Sequence, residues 1–174
     1  VVVTNQQLKG RGQQGSNWVS EPFKSLICSV FVSFKDLNVL EHRYLNFAVS
    51  LAVFETLNEE SIPGVSIKWP NDILSGNKKL CGILIENSLK STKISSSVIG
   101  IGLNVNQTSF PVSLKKVTSL KLLANKDFKL EKLLESLVSN LKFKIEMLDS
   151  KDFKTLEEQY LKVLYKKNIP TMFK

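Results

Sequence analysis

Hydrophobic positions along this chain switch between two rhythms, and the switches lay out its elements. Residues 1–4 (VVVT) are β-branched and read as a strand. A polar, glycine-rich stretch covers 5–21. SLICSVFVSF at 25–34, dense in β-branched and aromatic residues, then suits a central strand. From 40 to 57 the apolar residues Leu40, Tyr44, Phe47, Ala48, Leu51, Phe54 and Leu57 recur at helical spacing along one face. Ile62, Pro63 and Gly64 break that helix, and 65–69 resumes as a strand.

Residues 80–85 and 97–101 read as two further strands, joined through a polar connector at 87–93 that makes a hairpin end. Long helices are expected at 130–148, with Asp127 as its cap, and at 153–165, capped by Asp152. Pro170 ends the helical region, and Thr171, Met172 and Phe173 are expected to begin another strand. Strands first, one helix among them and two after, predict an α+β fold: a mixed β-sheet with helices packed mainly on one face.

Composition narrows the picture. With 43% hydrophobic residues in 174, a core can form without disulfides or metal, and the two cysteines, Cys28 and Cys81, lie in apolar runs as buried free thiols. No apolar run is long enough to span a membrane and no signal-peptide pattern opens the chain, so a cytoplasmic protein with no membrane contact is expected. The net charge of +8 comes largely from lysines between Lys115 and Lys174, a solvated surface. No helix-turn-helix, zinc finger or basic–aromatic pattern accompanies them, so no nucleic-acid partner is expected. The sequence leaves a homodimer open.

Three stretches carry candidate chemistry. GRGQQGSNW, residues 10–18, joins three glycines, which free the backbone to present its amides as an anion-binding nest, to Arg11, a bidentate cation, and Trp18, a flat apolar face. It is neither a phosphate-binding Walker loop nor a dinucleotide fingerprint. KWPNDILSGNKKLCGILIE, residues 68–86, turns sharply at Pro70 and Asn71, holds Asp72 at a strand end, and turns again at Ser75, Gly76 and Asn77. Lys79 then stands at the mouth of an apolar strand in which Gly82 implies a close approach by backbone or ligand. In VIGIGLNVN, residues 98–106, Gly100 and Gly102 bare one face of a strand, with Asn104 next on the same parity. Such a strip fits either a flat ring lying on the sheet or a bend in the strand.

Taken in order and at these separations, GRG–QG–W, KWPND, KKL–G and GIGLNVN resemble the biotin protein ligases (biotin–[acetyl-CoA-carboxylase] ligases), over nearly the whole chain. The resemblance implies a fold like the class II aminoacyl-tRNA synthetases and biotin–lipoate ligases. It implies that biotin and ATP, with magnesium, are joined as biotinyl-5′-adenylate and the biotinyl group passed to a lysine of biotin carboxyl carrier protein. It further implies that the 10–18 loop, including Gly10, Gly12 and Gln13, orders over the adenylate, with Gln7 and Arg11 contacting biotin and its activated carboxyl. Lys79 would stand by the carboxylate and the attacked phosphate, with Arg11 as the second catalytic cation. Gly82, Gly100 and Gly102 would floor the pocket, Trp18 would wall it, and Asn104 would read adenine. Asp72 would orient Lys79 or a magnesium ion; no other metal ligand is implied. His42, on the first helix, is assigned no role.

Three departures stand out. Gln13 and Gln14 replace arginines found in many members, which makes the loop less cationic. The polar biotin-contacting segment that usually precedes the first strand is absent, and 168–174 resembles only the start of the family's small C-terminal β-barrel. Residues 1–167 are therefore read as the catalytic domain, clipped at both ends. Lipoate or octanoate transfer on the same fold, and a non-catalytic ligand-binding relative, are the alternatives.

Overall fold

The computed structural model describes residues 1–169. The expected stop at Pro170, the strand at 171–173 and most of the expected second-domain start lie outside the described residues.

Among the described residues eight strands and four α-helices follow one another as β1 (Val2–Thr4), β2 (Gly10–Arg11), β3 (Asn17–Trp18), β4 (Ser25–Asn38), α1 (His42–Glu59), β5 (Val65–Lys68), β6 (Asp72–Ser75), β7 (Lys78–Lys90), β8 (Lys93–Asn104), α2 (Leu120–Ala124), α3 (Leu130–Asp149) and α4 (Phe153–Lys162). Six strands form one sheet in the order β1-β4-β8-β7-β6-β5, and β2 pairs with β3 in a separate hairpin. The α+β expectation holds. Every ladder among the described residues is antiparallel, and Ile67 with Leu164 and Lys79 with Val117 form isolated parallel bridges.

Alternation along the strands divides the sheet into two faces. Leu26, Leu103, Cys81, Ile73 and Ile67 stand side by side across five strands, all nearly fully buried, on the face that packs against the helices. The opposite face carries the glycines. No helix among the described residues is long and apolar enough to cross a membrane.

Local differences from the sequence reading have physical causes. Leu40 lies in a short 3₁₀ turn before α1 and is 81% exposed, so it is not part of the buried stripe. In that turn the Asn38 side chain accepts from Leu40 N–H, and Glu41 reaches back to Asn38 N–H. α1 is buried more widely than one stripe because it packs against α3 and α4 as well as β5 and β6. Between the turns expected at 70–71 and 75–77 lies β6, a strand that the sequence reading does not assign because four residues are too few to show alternation. Asp127 does not cap α3; Lys129 holds the cap position, and Asp127 pairs with Lys121 at 2.9 Å. Asp152 does cap α4, accepting from Thr155 N–H. That helix ends at Lys162, before the expected 165, since Val163 and Tyr165 turn to hydrogen-bond Ile67 on the sheet's edge.

Candidate active site

Cross-strand register builds the site. Ile27, Gly102, Gly82 and Asp72 stand opposite one another in a row over β4, β8, β7 and β6. The next row outward holds Ser29, Gly100 and Leu84, and the one beyond it Phe31, Val98 and Glu86. Where the glycines fall, the sheet surface is bare backbone.

The ring lying on that bare strip is the protein's own. A Cβ at Gly102 would sit 2.5 Å from Trp18 Cε2, and one at Gly82 would sit 3.1 Å from Trp18 Cζ3. The first approach is closer than a side chain tolerates, so the indole requires Gly102; at Gly82 the ring or the strand would have to give by a few tenths of an ångström. Gly100 differs: a Cβ there meets nothing closer than Leu84 O at 3.5 Å.

A register shift puts Lys79 on this face. Ile73 pairs with Cys81 but Leu74 pairs with Lys79, which leaves Leu80 as an extra residue on β7. Strict alternation from Cys81 would turn Lys79 into the helix-packed core; the bulge re-aims it toward the glycines. There its ammonium lies 2.6 Å from Asp72 Oδ1 and 5.8 Å from the centre of the Trp18 ring. The backbone at Lys79 is clamped, its N–H donating to Lys116 O and its carbonyl accepting from Thr118 N–H. Asp72 follows the cis Trp69–Pro70 bond. Asn46 Nδ2 donates to Pro70 O, and Asn71 exchanges hydrogen bonds with the Ile83 backbone, so the turn presenting Asp72 is tied to α1 and β7.

The loop at 10–18 is a tight hairpin. Gly10 faces Trp18, Arg11 faces Asn17, and Gly15 turns the chain at φ +75°. Gly12 N–H donates to Ser16 O and Ser16 N–H to Gln13 O. These two amides close the hairpin and are not presented as an anion nest, which corrects that part of the sequence reading. Gly10 is a glycine because a Cβ there would crowd Trp18 O at 2.5 Å and Gln7 Oε1 at 2.8 Å. Arg11 stays 76% exposed, its guanidinium 3.7 Å from Glu86.

Hairpin, sheet and turn enclose a cavity of about 460 Å³. Ten of the residues singled out in the sequence line it: Gln7, Arg11, Gly12, Gln13, Trp18, Asp72, Lys79, Gly82, Gly100 and Gly102. Two do not. Gly10 is buried at the hairpin base. Asn104 is 2% exposed, and its Nδ2 donates to Thr118 O at 3.1 Å. Its Oδ1 has no hydrogen-bond partner among the described residues, nor do the hydroxyl of Ser25, which faces it across β4 and β8, and Trp18 Nε1. Trp18, seated on Gly102, therefore stands between the cavity and a buried polar pair. Of the further lining residues, Asn71 belongs to the turn read in the sequence, while Ser29, Leu84 and Glu86 carry no expectation there. Parity with Gly82 would have found Leu84 and Glu86.

The cavity's charges are two cations and two carboxylates, arranged as Lys79 with Asp72 and Arg11 with Glu86. Cys28 also borders it, but burial pushes its thiol up to about 11 and that of Cys81 higher still, so neither is a thiolate nucleophile at neutral pH. Among the described residues no group of three His, Cys, Asp or Glu could hold a metal ion.

The sequence profile of the Biotin/lipoate A/B protein ligase family matches residues 1–104. This chain belongs to that family. Among relatives of the ligase family, the bifunctional ligase/repressor BirA of Bacillus subtilis is 35% identical over 121 residues, which cover 68% of this chain and 37% of BirA. The chloroplastic biotin–protein ligase 1 of Arabidopsis thaliana is 32% identical over 166 residues, 92% of this chain and 44% of the relative. The chain thus spans less than half the length of either. The structure of the biotin protein ligase of Aquifex aeolicus in complex with biotin and ATP superposes with a TM-score of 0.80 at 29% identity, over 93% of this chain and 67% of that one. The glycine-floored cavity accordingly sits on a biotin ligase catalytic fold.

Proposed function

We propose that residues 1–167 act as the catalytic domain of a biotin protein ligase. The domain condenses biotin with ATP to biotinyl-5′-adenylate and pyrophosphate, then passes the biotinyl group to a lysine of biotin carboxyl carrier protein. The observation that carries this reading is that Arg11 and Lys79, from separate hairpins, line one cavity together with Gly82, Gly100 and Gly102. The biotin and ATP of the Aquifex aeolicus complex support the choice of ligands.

In the first step an oxygen of the biotin carboxylate attacks the α-phosphorus, and the bond from that phosphorus to the pyrophosphate oxygen breaks. Two anions must meet, and fixed cations offset their repulsion in a partly desolvated site. Lys79, pre-aimed by the bulge and held by Asp72, serves the attacked phosphate. Arg11 is loosely held by Glu86 and free to turn inward to the carboxyl group. Catalysis is by positioning and charge, with no protein nucleophile. On the far side of Trp18, Asn104 Oδ1 is suited to accept a hydrogen bond from the adenine amino group. Asp72 fits a magnesium ion carried by the nucleotide, since that ion commonly takes one or two protein carboxylates with phosphate oxygens and water. When bound it would supply further neutralisation of phosphate charge.

Calorimetric titration tests the reading. Biotin should bind, binding should tighten when ATP is present, and pyrophosphate should be released. Lipoate binding in place of biotin would favour the lipoate branch of the family. Absence of any nucleotide effect would leave a ligand-binding relative.

A further inference from the structure

Two carboxylates line the cavity among the described residues, and their circumstances differ. Asp72 is mostly buried and engaged by Lys79 at 2.6 Å. Glu86 is half exposed, and its ion-pair partner Arg11, itself exposed, lies at 3.7 Å. Exposed pairs of that kind hold weakly.

Position adds to this. Gly82, Leu84 and Glu86 share the site face of β7, so Glu86 stands four residues, about 13 Å of strand, outward from Gly82. A second, more open recess of about 650 Å³ lies there, and Arg11, Gly12, Gln13, Leu84 and Glu86 border both spaces. Glu86 is thus the carboxylate at the passage between an outer recess and the cavity.

We infer that Glu86 binds the acceptor's lysine ammonium and that the outer recess is its way in. The inference rests on the acyl-adenylate reading above. A lysine side chain arrives protonated and must pass Arg11 and Lys79, two like charges on its way to the acyl group. Asp72 cannot compensate while it pairs with Lys79. Glu86 can, because its present partner is the cation that the activated acyl group recruits. As Arg11 turns to the bound ligand, Glu86 exchanges guanidinium for ammonium, and the recess changes from neutral to cation-attracting. The amine, having lost one proton to water, then attacks the acyl carbon. The C–N bond forms, the bond from acyl carbon to phosphate oxygen breaks, AMP leaves with the electron pair, and the amide nitrogen's surplus proton passes to water.

The test supplies preformed biotinyl-5′-adenylate and compares two nucleophiles, Nα-acetyl-lysine, cationic at neutral pH, and hydroxylamine, uncharged there. In Glu86→Gln the ratio of lysine to hydroxylamine transfer should fall by about tenfold or more, and Glu86→Asp should restore part of it. An unchanged ratio in Glu86→Gln, or an equal loss with both nucleophiles, overturns the inference. Failure of the wild-type chain to make adenylate from biotin and ATP would count against the ligase reading instead, since this assay bypasses that step.

Discussion

The indole of Trp18 rests on Gly102 so closely that a single added methyl group would stand 2.5 Å from its Cε2 atom. This contact fixes the inner wall of the cavity and sets the distance between the loop hairpin and the sheet. It also accounts for the second glycine of GIGLN and the glycine of KKLCG: the space above each is occupied by a side chain of the same molecule.

Gly102→Ala should therefore expel the indole. Overpacking of this kind costs about 1–3 kcal/mol. A blue-to-red shift in tryptophan emission and a lowered urea midpoint would report it, along with loss of biotin binding. Gly100→Ala, where the new atom meets only ordinary contacts, should change neither midpoint nor emission. Equal effects at the two positions would contradict the packing argument.

Lys79→Ala should lower biotin-dependent pyrophosphate release by roughly a hundredfold or more. The urea midpoint should shift little, because the side chain lies over glycine and not in the core. Arg11→Ala should instead speed escape of the adenylate from the enzyme, which a trapping assay with excess unlabelled ligand would detect.

Away from the site, Lys144 is 1% exposed and held by Glu55 at 2.6 Å and Gln159 at 2.7 Å. Glu55→Leu leaves a buried ammonium without its counter-ion and should cost about 3 kcal/mol. Lys144→Met removes the charge, keeps most of the volume, and should cost less than about 1 kcal/mol. Urea unfolding of the two variants decides; the opposite order would show that the pair is not held together by burial.

Alkaline pH offers a separate check. Burial raises Cys28 from an ordinary 9.0 to about 11, so the folded chain keeps a proton that the unfolded chain loses in that interval. Its contribution is whole below pH 9 and drains away as the pH rises toward 11. Unfolding free energy should fall across this window, and Cys28→Ser should make the decline shallower, the remainder coming from Cys81, which burial raises as well. A flat profile in the wild type would mean the thiol is not buried.

How much of this could be read in the sequence depends on whether local pattern or distant register sets each feature. The strands at 25–34 and 97–101 and the helix at 130–148 declare themselves by β-branching or period. Lys79 and Arg11 drew attention as cations beside glycines. That Lys79 faces the cavity depends on the extra residue Leu80, a bulge no alternation predicts. The hairpin's internal hydrogen bonds, which occupy the Gly12 and Ser16 amides, depend on where Ser16 sits in three dimensions. Glu86 was hidden because it lies at the polar end of a strand read only as far as residue 85. Asp127 looked like a helix cap by spacing, yet Lys121 from α2 holds its carboxylate.

Joint action of Arg11 and Lys79 on one carboxylate is measured most directly by comparing biotin with its uncharged amide. In calorimetry the wild-type chain should prefer the acid by about tenfold or more, and Arg11→Ala and Lys79→Ala should each narrow the preference. An acid-to-amide ratio that neither substitution changes would mean that the two cations do not meet at the ligand.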